Sequence, residues 1–238
     1  PMGAHTTNDA TTADEPDEAP AVVPPHLLAE IQGLYAAWVP EDPDAAYAAL
    51  PEGLDRPVDP VVSMFQGAQA GAHTSWGGTV SITHAEVEVS GRDAPDGASR
   101  GRWWALYVNG DPWYLAGARA LGVPGADEGR VDMVGDGDRL IATTYRGESP
   151  IVQTVARVGS MTMGPAGGQF RYLIPGEGFP SILVPYACPT YPFELLDVEF
   201  LDHSDPSWAL RPRRPIEVAW CVYSPRFTYA FGAPTPLP

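Results

Sequence analysis

Apolar and polar residues alternate over the segment 79–89, which reads TVSITHAEVEV. His84, Glu86 and Glu88 are spaced by two, so on a strand they project to one face, while the alanine and valines between and after them project to the other. This pattern predicts a half-buried strand with one apolar and one polar face. We expect the polar face to be solvated, because that is the ordinary arrangement of an amphipathic strand.

Short segments of the same kind follow one another along most of the chain, with glycine- and proline-rich turns between them. They predict further strands over residues 61–65, 102–108, 131–134, 139–145, 151–160, 169–174, 181–184, 193–201 and 217–223. The turn GDGD joins two of these segments into a predicted hairpin. Many short strands with few helices indicate a mainly β (α+β) domain, built as a barrel or a sandwich.

Helical spacing of apolar residues is found in three places. The segment 26–38 has a clear pattern, and a short helix is predicted to follow it, ending at residue 50. A third helix, over 113–121, follows a strand and a turn and ends at Gly122, and Pro124 prevents its continuation. The stretch 107–125 (YVNGDPWYLAGARALGVPG) thus runs from strand to turn to helix to loop, and such loops often hold reactive groups.

Composition limits the domain organisation and the partners. Residues 1–24 contain almost no large apolar side chain, which predicts a disordered acidic segment before a single domain over 25–238. The net charge of −16 argues against nucleic acid and anionic membranes as partners. There is no apolar run of about 18 residues and no basic, apolar start, so we expect no membrane span, no signal peptide and a cytoplasmic location. Reduced thiols at Cys188 and Cys221 are then favoured over a disulfide.

The absence of lysine has the largest consequence for the chemistry. All fourteen basic side chains are arginine. Schiff-base catalysis needs an amine that can lose its proton and attack a carbonyl, and the guanidinium of arginine stays protonated. A lysine-based imine mechanism is therefore excluded.

Searches for cofactor and metal motifs are negative. The sequence contains neither Gly-x-Gly-x-x-Gly after a strand nor a phosphate loop ending in Gly-Lys-Ser/Thr. The five histidines show no paired ligand spacing, and the nearest approach to a metal set is His84 with Glu86 and Glu88. We therefore expect no cofactor and no metal.

Several segments resemble acetoacetate decarboxylase and its relatives, in the same order along the chain. The stretch LYVN (106–109) is similar to the family's strand end Met-Tyr-Leu-Asp, GAR (117–119) stands at the family's Gly-Arg-Glu, and VPGA (123–126) stands at its aromatic-Pro-Lys-Lys loop. Further similar segments are AYAALPEGL, VVSMF, FRYLIP, FLDH and RPIEV. The resemblance implies a cone-shaped β-barrel with a few flanking helices. It also implies an oligomer, so we expect a homo-oligomer.

The differences from the family concern the site residues. In the family, the first lysine of the loop forms an imine with a β-keto acid, and two glutamates and an arginine surround it. The resemblance places Gly125 at that lysine and Gln66 and Ile82 at the two glutamates. The family's arginine lies near the start of the domain, where the first arginine here is Arg56. The resemblance thus implies the family's scaffold without its imine-forming decarboxylase chemistry.

Three classes of function remain open. The first is a lysine-independent enzyme of bacterial specialised metabolism, acting on a small organic or polyketide-like substrate in an apolar barrel pocket by cyclisation, isomerisation or dehydration. The second is a non-catalytic small-molecule-binding protein on a degenerate decarboxylase scaffold, and the third is a structural subunit. We favour the enzyme, with the small-molecule substrate as its partner.

Candidate residues for the enzyme lie near the position of the lost lysine. The candidate catalytic residues are Gln66, Tyr107 and Arg119, together with Glu86 if its strand turns it inward. The candidate pocket residues are Ile82, His84, Trp104, Trp113, Tyr114 and Gly125. We expect Gly125 to leave space where the family has a side chain, so that the cavity is enlarged there, with Arg119 and Tyr107 at its margin.

Overall fold

The computed structural model describes residues 32–48, 50, 52, 54, 56–73, 79–91, 99–109, 112–120, 122–123, 125–158, 164–173, 180–224, 228–229 and 235–236. The segment 1–24, for which we predict disorder, lies outside these residues. The first part of the predicted helix 26–38 lies outside them as well.

Thirteen strands, two α-helices and one 3-10 helix make up the described part of the chain. In chain order they are β1 (Gln32–Trp38), α1 (Pro43–Ala48), β2 (Val61–His73), β3 (Thr79–Ser90), β4 (Ser99–Asn109), α2 (Pro112–Ala120), β5 (Gly125–Glu128), β6 (Arg130–Asp136), β7 (Arg139–Arg146), β8 (Ser149–Val158), β9 (Gly164–Leu173), β10 (Pro180–Phe200), the 3-10 helix (Pro206–Leu210), β11 (Val218–Ser224), β12 (Thr228–Tyr229) and β13 (Thr235–Pro236). The prediction of a mainly β chain with few helices is confirmed.

The strands form one large mixed sheet in the order β11-β1-β2-β3-β4-β9-β10-β8-β7-β6, with β5 beside β4, and with β12 and β13 beside β10. Neighbours pair antiparallel except at β4, which runs parallel to β5 and β9. The long β10 pairs first with β9 and then with β8, and it also meets β11 across two residue pairs. The sheet is therefore a continuous path in which β10 pairs with strands of both halves.

The main apolar core lies between β1–β4 and the layer made by β6, β7, β8 and the second half of β10. We call the side of β1–β4 that carries Leu34, Met64, Val87 and Ala105 the core face. These side chains are buried with residues of the second layer: Val131, Met133, Leu140, Ala142, Ile151, Val152, Val198 and Phe200.

Residues 32–38 form a strand, so the prediction of a helix over 26–38 is wrong in its described part. β1 is paired on both sides, with β2 and with β11. Leu34, Ala36 and Trp38 alternate onto the core face, where all three are buried. The apolar positions fit a period of two as well as a helical period here, and pairing along both edges selects the strand.

The hairpin and the third helix lie where the sequence predicts them. β6 and β7 pair antiparallel around Gly137, whose φ of 59° is the left-handed conformation that this turn requires. α2 ends before Gly122, which has φ 77° and donates its amide hydrogen to the carbonyl of Arg119. Strands β2 and β10 are much longer than predicted, because each is paired along most of its length.

Cys221 in β11 is a buried free thiol. Burial raises the pKa of this thiol to about 12, so it is a poor nucleophile and contributes packing rather than chemistry. The side chain of Cys188 lies outside what the structure describes. Within the described ranges, no helix combines the length and the apolar character needed to cross a bilayer.

Candidate functional site

Strand β3 buries both of its faces. On the side opposite the core face, which we call the acidic face, His84, Glu86 and Glu88 are only 2%, 6% and 1% exposed. The expectation of a solvated polar face is therefore wrong. Because the strand turns His84 and Glu86 inward, both residues meet the condition under which they could act as acid or base.

Neighbouring elements bring aromatic side chains onto the acidic face. Tyr35 of β1 pairs with Phe65 of β2, which pairs with Glu86 of β3. Residues directly opposite one another in adjacent strands point to the same side of the sheet, so these side chains are neighbours. Tyr172 reaches the same place from β9, and Tyr114 reaches it from α2.

One tyrosine hydroxyl joins the two carboxyl groups of the acidic face. The hydroxyl oxygen of Tyr172 lies 2.9 Å from Glu86 Oε2 and 3.0 Å from Glu88 Oε1. Tyr35 donates a further hydrogen bond, 2.7 Å long, to the same oxygen of Glu88. A phenol carries one proton, so Tyr172 can donate to only one carboxyl at a time, and a proton on Glu88 completes the other contact. The geometry suits two acids that share one proton.

Burial raises the pKa of Glu88 from its usual 4.5 to about 8. Hydrogen bonds from Tyr35 and Tyr172 oppose this rise, and the charge of Glu86 adds to it. Burial is also the main cause that raises the pKa values of Tyr35 and Tyr172 well above 10, so both stay protonated. Glu88 is therefore a neutral acid near pH 7, the state from which it can donate a proton.

One oxygen of Glu88 has no hydrogen-bond partner among the described residues. This atom, Oε2, is buried. Ser63 lies opposite Glu88 in the β2–β3 pairing and lowers its pKa, but it does not meet the geometry of a hydrogen bond to Oε2. A Cβ atom at Gly101 would lie 2.6 Å from Oε2 and 2.4 Å from the ring of Phe170. Glycine at position 101 therefore leaves the space that these two side chains take.

His84 connects Glu86 to Gln69. Its Nε2 lies 3.5 Å from Glu86 Oε1, and its Nδ1 lies 3.4 Å from the amide nitrogen of Gln69. Because an amide nitrogen only donates, Nδ1 is the acceptor and Nε2 carries the proton that faces Glu86. Tyr114 donates to the same oxygen of Glu86 over 3.4 Å. Glu86 thus has polar partners on both carboxyl oxygens.

Two of the candidate catalytic residues point to the core face. The amide of Gln66 donates to the carbonyl of Ala142 and, at 2.9 Å, to the hydroxyl of Thr144 in the second layer. Tyr107 donates to Asp205 over 3.2 Å, and Asp205 is the N-cap of the 3-10 helix. Both side chains hold the two layers together on the side of the sheet away from Glu86.

Arg119 and Gly125 do not frame an enlarged cavity. Arg119 is exposed near the end of α2 and donates to the carbonyl of Ala126. Gly125 begins β5 against β4, where a Cβ atom would lie 2.9 Å from the Cβ of Ala105 and 3.2 Å from the carbonyl oxygen of Trp104. The space expected at Gly125 is filled by β4, which corrects the prediction of a cavity there. Trp104 is itself buried among the core-face residues.

The other candidates lie on the acidic face or beyond the described side chains. Ile82, on the same side of β3 as His84, is buried in a second apolar cluster that includes Leu106 and Tyr172. Tyr114 packs against this cluster. The side chain of Trp113 lies outside what the structure describes.

Sequence reasoning missed Glu88, Tyr35, Tyr172 and Gln69 as site residues. The resemblance assigned the family's glutamate positions elsewhere, whereas the sheet brings a different pair of glutamates together on β3. The available signal was the segment HAEVE itself, because a strand can bury its polar side when tyrosines from other strands supply hydrogen bonds. Within the described residues, no group of three or more His, Cys, Asp or Glu side chains is arranged to hold a metal.

No protein-family model matches the sequence, and no curated protein matches it in a sequence comparison. Its fold matches solved structures. Acetoacetate decarboxylase from Legionella pneumophila subsp. pneumophila str. Philadelphia 1 matches with a TM-score of 0.58 and 14% identity, over 88% of this chain and 85% of that chain. The enduracididine biosynthesis enzyme MppR, complexed with pyruvate, matches with a TM-score of 0.56 and 18% identity, over 87% of this chain and 88% of that chain.

An acetoacetate decarboxylase-like enzyme from Sphingomonas wittichii RW1 matches with a TM-score of 0.53 and 15% identity, over 88% of this chain and 93% of that chain. The chain therefore has the mainly β fold of acetoacetate decarboxylase and acetoacetate decarboxylase-like enzymes, as the resemblance implied. Likeness at this level of identity concerns the fold. The chemistry has to be argued from the acidic face itself.

Proposed function

We propose that this chain is a lysine-independent enzyme that acts on a small organic molecule by general acid–base catalysis at Glu86 and Glu88. The observation that carries the proposal is the hydroxyl of Tyr172, which lies 2.9 Å and 3.0 Å from the two buried carboxyl groups. When two acids share one proton, one can donate while the other accepts. Near neutral pH, Glu88 is protonated and is the donor of the pair, and we assign Glu86 as the acceptor.

Such a pair suits isomerisation, dehydration or cyclisation of a carbonyl compound. In a dehydration, Glu86 takes the proton from the carbon next to the carbonyl, and Glu88 protonates the hydroxyl group that leaves as water. Neither step needs an amine, which agrees with the absence of lysine. His84 is a positioning residue, because its Nε2 proton faces the carboxylate that accepts the substrate's proton.

The structures that share the fold support a small-molecule ligand. MppR has been solved with pyruvate and with the condensation product of pyruvate and imidazole 4-carboxaldehyde. MppR is an enduracididine biosynthesis enzyme, which favours a place for this chain in bacterial specialised metabolism, acting on a polyketide-like or other small substrate. We further expect a homo-oligomer in the cytoplasm, and no binding to nucleic acid.

Proton abstraction next to a carbonyl can be measured without knowing the physiological product. Small ketones, enones, amino ketones and keto acids are incubated with the protein in deuterated buffer, and deuterium at the α-carbon is followed by proton NMR. We expect exchange or turnover of at least one compound. Glu88→Gln and Glu86→Gln should each lower the rate by roughly one hundred- to ten thousand-fold, because each removes one partner of the proton transfer.

Arg119→Gln is the matched control, because Arg119 is a candidate from the resemblance but lies exposed near the end of α2. We expect it to keep the wild-type rate. A compound that raises the melting temperature but is recovered unchanged and unlabelled would favour the non-catalytic binding protein. Borohydride with acetoacetate should trap no adduct, and covalent trapping at an internal residue would contradict the lysine-independent mechanism.

A further inference from the structure

In the described part of the chain, the carboxyl groups of the acidic face have no arginine partner. Within the described residues, neither Glu86 nor Glu88 forms an ion pair with an arginine, and the basic side chain that contacts Glu86 is His84, at 3.5 Å. Other acids of the described chain do have arginine partners; Asp205, for example, lies 2.8 Å from Arg146. Among the described residues, the acidic face therefore holds two neighbouring carboxyl groups without an arginine partner.

Aromatic rings stand beside these carboxyl groups. The ring of Phe65 lies 4.8 Å from the imidazole of His84 and 5.8 Å from the ring of Tyr35, measured between centroids. The ring of Tyr114 lies 6.0 Å from the same imidazole. Ring faces and carboxylates both attract positive charge, so this composition recognises ammonium groups. A carboxylate ligand would be disfavoured, because it would lie beside Glu86 in a site removed from water.

Glu88 Oε2 gives an independent indication of a ligand. This oxygen is an acceptor without a donor among the described residues, on a side chain that is only 1% exposed. A buried acceptor without a donor costs free energy unless a ligand or water supplies the hydrogen bond. A protonated amine offers three donors and no acceptor, which complements this oxygen in both hydrogen bonding and charge.

We infer that the acidic face binds a small molecule carrying a protonated amine, with the ammonium group contacting Glu88 Oε2 and Glu86. The inference rests on the proposed function, since it names the substrate class of the same site. Binding is coupled to proton release. Glu88 is protonated in the free protein near neutral pH, and it passes this proton to solvent as the ammonium–carboxylate pair forms.

Trp220 is an exposed aromatic residue that lies against this site. Its indole is stacked on the ring of Tyr35, with 4.8 Å between centroids and 19° between planes, and it is 41% exposed. Tyr35 donates directly to Glu88. The apolar part of a bound amine therefore has an aromatic surface beside the acid groups.

Three probes with the same phenylethyl body separate charge from shape: phenethylamine, phenethyl alcohol and hydrocinnamate. Binding is measured by isothermal titration calorimetry near neutral pH, in buffers of different ionisation enthalpy. We expect phenethylamine to bind about tenfold or more tightly than the alcohol, and hydrocinnamate to bind most weakly. The buffer series should show release of up to one proton with the amine and none with the alcohol.

Glu88→Gln should weaken amine binding by about tenfold or more, abolish the proton release and reduce the preference for the amine over the alcohol. Tyr35→Phe keeps the aromatic ring and removes only the hydrogen bond to Glu88, so it should retain the preference for the amine. Glu199→Gln is the matched control, because Glu199 is an exposed acid on β10 and its loss changes the formal charge equally. It should leave both affinity and proton release as in the wild type.

Equal or tighter binding of the alcohol or the carboxylate would overturn the inference, as would absence of amine binding at millimolar concentration. These outcomes are distinct from failure of the proposed enzyme. A chain that prefers the amine but transfers no proton to or from any substrate retains the site for an ammonium group and loses the catalytic function. If the protein exchanges protons on neutral ketones without preferring the amine, the catalytic function is retained and the ammonium site is ruled out.

Discussion

The two faces of β3 are buried to a similar degree in opposite chemical surroundings. Ala85 and Val87 on the core face are 0% exposed and pack among apolar side chains, whose burial stabilises the fold by about 0.8 kcal/mol per methylene group. Glu86 and Glu88 on the acidic face require hydrogen bonds to offset the cost of leaving water. One face therefore supplies stability. The acidic face holds a carboxyl group with a raised pKa, and groups with shifted pKa values are the ones that acid–base catalysis uses.

Placing an acid on the core face should have the largest effect on stability. Val87→Glu places a carboxyl among apolar side chains of the core face, where Val87 is 0% exposed. We expect a loss of about 4 kcal/mol or more in the free energy of unfolding, measured by urea denaturation, or failure to fold. Glu88→Gln is the companion on the acidic face and should fold normally. A stable Val87→Glu protein would contradict the assignment of the two faces.

The acidic face should also make stability depend on pH. Glu88 titrates near 4.5 in the unfolded chain and near 8 in the folded protein, so between these values only the folded state holds the proton. Stability from this group is therefore complete below about pH 4.5 and falls as the pH rises toward 8, by at most about 1.4 kcal/mol per pH unit. The groups that face Glu88 are Tyr35 from β1, Glu86 from β3 and Tyr172 from β9.

Urea denaturation at several pH values would check this dependence. Glu88→Gln keeps the size of the side chain and cannot ionise, so we expect it to flatten the decline between pH 4.5 and 8. Glu199→Gln, on an exposed part of β10, should preserve the wild-type slope. An unchanged slope in Glu88→Gln would show that another group carries the dependence.

The sequence predicted the fold class and the alternation of β3, but not the environment of its polar side. Alternation identifies two faces and says nothing of what covers each one. The cover for Glu86 and Glu88 comes from Tyr35, Tyr172 and Tyr114, which lie 28 to 86 residues away from their partners along the chain. Contacts between residues this far apart depend on strand order. Tyr172 reaches the acidic face because β9 lies beside β4 in the sheet.

Prediction from neighbouring residues was most reliable for turns and helix ends, whose conformation depends on few residues. The turn at Gly137 and the end of α2 at Gly122 follow from backbone conformations that glycine accepts. The sequence predicts a helix around Tyr35, because the apolar residues there fit a helical period as well as a strand period of two. Only the pairing of β1 with β2 and β11 selects the strand. Gly125 was expected to leave space, but a neighbouring backbone rather than the missing side chain decides whether space exists.

Gly101 allows the crowding on the acidic face to be tested directly. In Gly101→Ala, the new methyl group would meet the ring of Phe170 and Glu88 Oε2, so we expect a loss of about 1–3 kcal/mol in the free energy of unfolding. Gly117→Ala is the matched control in the interior of α2, where a Cβ has nothing within 4 Å. It should gain about 0.5–1 kcal/mol, because alanine favours the helix. Equal effects of the two substitutions would mean that Gly101 is not confined as described.

The smallest effect on stability is expected from removing the Tyr172 hydroxyl, which lies between Glu86 and Glu88. Tyr172→Phe keeps the ring and removes the hydroxyl, which costs about 1 kcal/mol for one net hydrogen bond. Because that hydroxyl lowers the pKa of Glu88, its loss should move the pKa of Glu88 upward from about 8. Isotope-edited infrared spectroscopy of the protonated carboxyl band, followed against pH, would measure the midpoint directly. The direction of the shift is more informative than its size, because loss of packing alone would expose Glu88 and move the midpoint down.

Tyr145→Phe is the control for this measurement, since Tyr145 lies in β7 on the second layer and its ring packs under Arg130. It should leave the infrared midpoint of Glu88 unchanged. If Tyr172→Phe also leaves the midpoint in place, the two carboxyls do not share a proton through the tyrosine, and Glu88 would act as an isolated buried acid. If the midpoint rises while the fold is retained, the acidic face differs from the core face in the way the proposed chemistry requires. Its polar contacts then set a protonation state, whereas the contacts of the core face set only stability.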